Sequence, residues 1–128
     1  MSTAEDRIDM ARRFHAALVK RDWTAIRALL HDDASWVLPG DNRISGPAQG
    51  GDAVVDRARL IASYGLKFEL NHILSSPTDV ALGLHNTATR DGVELDEHLA
   101  TVLRVRDGRI AFIETFLSDV ERMNAFFT

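Results

Sequence analysis

Cysteine is absent from the 128 residues, which excludes disulfides, a thiolate nucleophile and any thiolate metal site. No run of 18 or more apolar residues occurs, and no basic segment followed by an apolar one opens the chain. Neither membrane insertion nor secretion is expected, and the expected location is the cytoplasm. Basic charge is not in excess: 15 Lys and Arg stand against 19 Asp and Glu, a net charge of −4. Nucleic acid calls for a basic face that displaces phosphate counterions, so no such partner is expected. Internal repeats and low-complexity segments are missing too. What remains is ordinary for a globular chain, with 45% hydrophobic and 27% charged residues, and residues 1–128 are expected to form one domain.

Residues 4–20 carry Ile8, Ala11, Phe14, Ala17 and Leu18 at helical spacing, and Thr3 with Asp6 supplies a start signal. Asp22 caps a second helix, WTAIRALL. ASWVLPG reads as a short strand stopped by Pro39-Gly40, and DNRISGPAQGGD as a glycine-rich loop. Asp52 is expected to cap a third helix running to about Tyr64, with Gly65 as its stop. Four strands follow, near 66–75, 79–90, 93–106 and 109–118, and a short helix, DVERMNAFF, closes the chain. Helices first and antiparallel strands afterwards make an α+β pattern.

Two Asp-Gly pairs, Asp91-Gly92 and Asp107-Gly108, sit between alternating runs and signal two-residue hairpin turns. Such turns fix the pairing. His98 is expected to face His85 on one side and Leu117 on the other, and Ala100 to face Gly83 and Thr115. Pairing Ser75 with Val80 puts Leu70 beside His85 and His72 beside Gly83. One face then carries His72, Gly83, His85, Asp96, His98, Ala100, Thr115 and Leu117. The opposite face carries Leu82, Leu84, Leu99, Leu103, Phe112, Glu114 and Phe116. Both are too apolar to stand in water, so helices on one side and a partner subunit on the other are expected to cover them. Gly83 and Ala100 leave room on the histidine face, which is how a pocket is built into a sheet.

The order of elements resembles the nuclear-transport-factor-2-like cone, a curved antiparallel or mixed sheet wrapped around N-terminal helices. SWVLPGDNRISGPAQGGDAVV and VRDGRIAFIETFLSD are similar to motifs of its SnoaL-like branch. The resemblance implies an apolar pocket inside the cone, placed on the histidine face, and a homodimer through the outer face of the sheet. It also implies a varied chemistry of isomerases, cyclases, epoxide hydrolases and dehydratases. The ketosteroid-isomerase carboxylate, tyrosine and protonated aspartate align with Leu38, Phe14 and Ala100, so that apparatus is absent. The aspartate of the cyclases and epoxide hydrolases aligns with Thr115.

Candidate residues follow from both lines. Cross-strand partners have Cβ atoms roughly 4.5–5.5 Å apart, so His85 and His98 form the candidate acid/base pair, with Asp96 holding a tautomer. Phe14, Trp36, Leu38, Tyr64, His72, Ala100, Thr115 and Leu117 are the candidate pocket residues. Three histidines on one face also fit a metal, but no His-x-His or His-Glu-x-x-His spacing appears, and neither metal nor cofactor is expected. GPAQGG lacks the lysine of a phosphate loop and reads as turn. His15 and His31 read as structural, and Glu114, with Arg104 and Arg106, as surface charge. Three functions compete: cofactor-free proton transfer on a small apolar molecule, small-molecule binding without chemistry, and a dimerising interaction module.

Overall fold

Residues 3–128 are described by the structure, a computed structural model. Local signals place most element ends. The Thr3 hydroxyl accepts from the Asp6 backbone N–H while the Asp6 carboxylate accepts from that of Thr3, a capping box that starts α1 (Ala4–Lys20). Asp22 caps α2 (Trp23–Leu29) by accepting from the Ala25 N–H. Asp119 caps α4 (Val120–Phe126) in the same way through Arg122.

Between these helices the structure departs from expectation in three places. The first strand, β1 (Leu30–Leu38), starts directly from α2 and is longer than ASWVLPG. The segment expected to be loop contains β2 (Gly46–Gln49), which gains its hydrogen bonds by pairing antiparallel with Ser35–Leu38. Helix α3 (Gly51–Ser63) is preceded by Gly50, without a side-chain cap. Asp52 lies inside its first turn and pairs instead with Arg27 at 2.8 Å. Gly51 is needed there for space, since a Cβ would stand 2.9 Å from the His31 carbonyl oxygen.

The remaining strands, β3 (Lys67–Ser75), β4 (Asp79–Arg90), β5 (Val93–Arg106) and β6 (Arg109–Leu117), complete one six-stranded sheet ordered β2-β1-β6-β5-β4-β3. The sheet is mixed, because β1 runs parallel to β6 and the other neighbours are antiparallel. Asp91 and Asp107 both adopt positive φ, as the tight turns demand.

Register agrees with expectation along all of β4–β5, where Gly83 faces Ala100 and His85 faces His98. It departs on either side. Val105 faces Ile110 as expected, but Arg104 faces Phe112, so Ala111 is an extra residue on β6. Beyond this bulge Thr101, not Ala100, faces Thr115, and Leu99, not His98, faces Leu117. On the other flank His72 faces Gly83 as expected, but the extra residue Asn71 puts Glu69 rather than Leu70 opposite His85.

Burial identifies the two faces. Val80, Leu82, Leu84, Leu95, Leu103, Ile113 and Thr115 are buried, while Asp96, His98, Ala100 and Phe116 are exposed. The helices therefore cover the greasier face, and the histidine face is the outer one. The expectation that the pocket lies on the histidine side is overturned: sheathing the aliphatic row removes more apolar surface from water than sheathing a row containing Gly83, His85 and Ala100. Among the described residues no helix is long and apolar enough to cross a membrane.

Candidate functional site

A cavity of about 40 Å³ lies between the inner face of the sheet and the helices. Phe14, His15 and Leu18 of α1, Ala58 and Ile61 of α3, and Met123 and Phe127 at the C-terminal end contribute to its walls. From the sheet come Trp36, Leu38, Phe68, Leu82, Leu84, Asn86, Leu99, Thr101 and Thr115. The volume exceeds the roughly 10–15 Å³ that one water needs. It falls well short of the roughly 300–1,000 Å³ of a drug-sized pocket, because aromatic rings occupy much of the cone.

Four polar features interrupt this apolar lining. Trp36 Nε1 donates to Thr115 Oγ1 at 3.0 Å, and Thr115 Oγ1 lies 3.1 Å from Thr101 Oγ1. Those two threonines meet only because the bulge at Ala111 turns Thr115 inward. His15 Nε2 contacts the Phe68 carbonyl oxygen at 3.1 Å; a carbonyl can only accept, so that nitrogen carries the proton. The fourth feature is a pair. Asn86 lines the cavity and faces Glu97 across the strands. Asn86 is 6% exposed and Glu97 is 0% exposed, the one buried carboxylate among the described residues. Glu97 Oε1 accepts from Ser118 Oγ at 2.9 Å and from the Asp119 N–H at 2.8 Å. Glu97 Oε2 and Asn86 Oδ1 are buried without a hydrogen-bond partner. Two neighbouring acceptors thus lack donors, an arrangement that costs about 1–3 kcal/mol for each group left unsatisfied.

The residues expected to form the site divide accordingly between the two faces of the sheet. Phe14, Trp36, Leu38 and Thr115 line the cavity. Tyr64 is buried but faces away: it packs on Phe126 and Phe127, accepts from Arg43 Nη1 and donates to the Thr128 carbonyl. Leu117 falls on the inner face without reaching the cavity. His72, His85, Asp96, His98 and Ala100 lie on the outer face, outside it. Glu114 also points outward, paired with Val102 and Val37. His15, Asn86, Glu97 and Thr101 were not anticipated as site residues. A signal for two of them was present, because Asn86 and Glu97 break otherwise apolar rows (Val80, Leu82, Leu84 and Leu95, Leu99) at positions the hairpin pairs directly.

On the outer face His85 and His98 do meet, with ring centroids 4.3 Å apart and planes 7° apart. His85 Nε2 lies 2.5 Å from Asp96 Oδ1. This hydrogen bond first, and the electrostatic pull of His85, His98 and Arg122 around it, hold the Asp96 carboxyl below the usual aspartate range. A depressed carboxyl contributes stability above its unfolded value and loses it as pH falls through the folded value. The Asp96 carboxyl carbon should therefore titrate below about 3.9 by NMR, and its midpoint should rise in His85→Ala. An unchanged midpoint in that variant would show that the pair does not interact in solution.

The model of the SnoaL-like domain family matches residues 11–113. An uncharacterised protein of Mycobacterium tuberculosis is 27% identical over 124 residues, covering 93% of this chain and 94% of its own. Among solved structures, Bal32a from a soil-derived mobile gene cassette is 29% identical with a TM-score of 0.93, covering 98% of each chain. A nuclear-transport-factor-2-like protein of unknown function from Burkholderia pseudomallei shares the fold, at 21% identity, TM-score 0.84 and coverage of 100% and 99%. With most of its length under the family pattern and the cone fold in place, the chain belongs to the SnoaL-like domain family.

Proposed function

We propose that the protein binds a small, mainly apolar molecule inside the cone and orients it through a hydroxyl or amine donated to Asn86 Oδ1. One observation carries this proposal: a buried acceptor without a donor, on the wall of a mainly apolar cavity. Natural cores rarely keep such a group unless something fills it. The Thr101–Thr115–Trp36 chain offers a second polar contact at the opposite strand pair. Any ligand larger than a few waters displaces side chains of the lining.

Asn86→Leu separates ligand binding from folding. Removing an orphaned acceptor should raise the melting temperature, by roughly 4 °C for each kcal/mol recovered. The same change should abolish the thermal shift given by small hydroxylated apolar compounds such as phenols and terpene alcohols. A variant that keeps the shift would reject Asn86 as the anchor.

A second function, proton transfer on the bound molecule, is favoured by Glu97 Oε2, a buried carboxylate oxygen with no partner, on the residue that faces Asn86 across the strands behind the cavity wall. It keeps the cofactor-free chemistry expected from the sequence and moves the acid/base role from His85 and His98 to Glu97. Glu97→Gln retains an oxygen for Ser118 and Asp119 but cannot take up a proton. Binding should persist while turnover of an identified ligand falls by roughly 10²–10⁴-fold; full turnover in this variant would leave only the binding function.

We infer that a second copy of the chain covers the end of the outer face that carries Leu74, 63% exposed, and Phe116, 52% exposed. Light scattering should report a dimer for the unaltered protein and a monomer for Phe116→Glu, and a monomeric unaltered protein would dispose of this assembly.

A further inference from the structure

The geometry points to a site for a divalent transition-metal ion on the outer face of the sheet, built from His85, His98 and Asp96, independent of the cavity. The three histidines of one face, His72, His85 and His98, show no His-x-His or His-Glu-x-x-His spacing in the sequence; the set that converges has Asp96 in place of His72. The hairpin at Asp91-Gly92 brings that set together. His85 and His98 are directly paired, and Asp96 lies two residues from His98 on the same face of β5. One donor atom from each lies within 4.8 Å of the other two.

The donor set selects the ion. Two imidazoles and a carboxylate suit zinc, cobalt, nickel or copper, whereas magnesium and calcium prefer oxygen shells. Three protein ligands leave a fourth position for water, as in open zinc sites. Bonds of about 2.0–2.1 Å in a tetrahedron place donor atoms roughly 3.3 Å apart. The His85–Asp96 contact, at 2.5 Å, is shorter than this and is now held by a proton. An ion would replace that proton, widen the contact and draw the His98 nitrogen in. Only side-chain rotations are needed, and the exposures of 27% for His85 and 61% for Asp96 leave room for them.

The backbone beneath the site is fixed. The His98 N–H donates to Ser118 Oγ at 3.1 Å and its carbonyl accepts from the Ser118 N–H at 3.0 Å. Arg122 Nη1 donates to the Asp96 carbonyl at 3.1 Å, so this cation is engaged by backbone rather than by the ligating carboxylate. Glu69, opposite His85 on β3, adds a negative charge on the same face that favours a cation. His72 stands over Gly83 in the next row, where a Cβ would come within 3.3 Å of its own. It is not among the three converging groups.

Calorimetric titration of the tag-free full chain with zinc chloride tests the site. One ion per chain is expected, with affinity reduced at least tenfold in His85→Ala and in His98→Ala. Cobalt chloride should give the visible absorption of a four-coordinate ion with nitrogen ligands, lost in the same variants. These side chains are at the surface, and unchanged circular dichroism will show that the variants fold. His72→Ala should bind as the unaltered protein does. Undiminished zinc affinity in His85→Ala or His98→Ala, one ion shared between two chains, or loss of binding in His72→Ala would each overturn the three-ligand site.

Discussion

Side-chain alternation along a strand is strict, so one extra residue in a strand pair sends every side chain beyond it to the other face. Ala111 is such a residue on β6. It places Ile113 and Thr115 in the interior with Leu103 and Thr101, and Glu114 and Phe116 outside with Val102 and Ala100. The buried hydroxyl pair and its bond to Trp36 depend on this one residue. Without it Glu114 would face the aliphatic core, where an uncompensated carboxylate is costly.

Hydrophobic burial then decides which face the helices cover. The aliphatic row of β4 and β5 packs beneath α1 and the chain's C-terminal end, while the row with Gly83 and Ala100 remains outside. Two polar constellations are separated by the thickness of the sheet in consequence. Inside are Asn86 and Glu97, short of donors in an apolar setting. Outside are His85, His98 and Asp96, bonded to one another and open to solvent. The same hairpin builds both, since Asn86 pairs with Glu97 one step from His85 with His98.

Glu97 links the cavity wall to its closure. Its Oε1 accepts from Ser118 and Asp119, the residues joining β6 to α4, and α4 brings Met123 to the cavity. The C-terminus is tied down again by the Arg43 N–H on the Phe127 carbonyl and by Tyr64 on Thr128. Tyr64 therefore serves as an anchor for the end of the chain rather than as a ligand contact.

Much of this was legible from the residues alone. Helical spacing and caps at Thr3, Asp22 and Asp119, alternation along the four long strands, and Asp-Gly turns with positive φ are local properties, fixed by chemistry within a few residues. They determined the α+β class, the order of elements and the meeting of His85 with His98. Phe14, Trp36, Leu38 and Thr115 line the cavity, although the pocket was expected on the other face of the sheet. The bulges at Asn71 and Ala111 and the pairing of β2 with β1 were not legible, and the inner face was misplaced by following the resemblance over the greasier row. They arise from competition between whole faces for burial, and no window of sequence contains both competitors. The sequence by itself set which residues could pair; the tertiary structure decided which side of the sheet became the interior, because only there is the total apolar surface removed from water weighed.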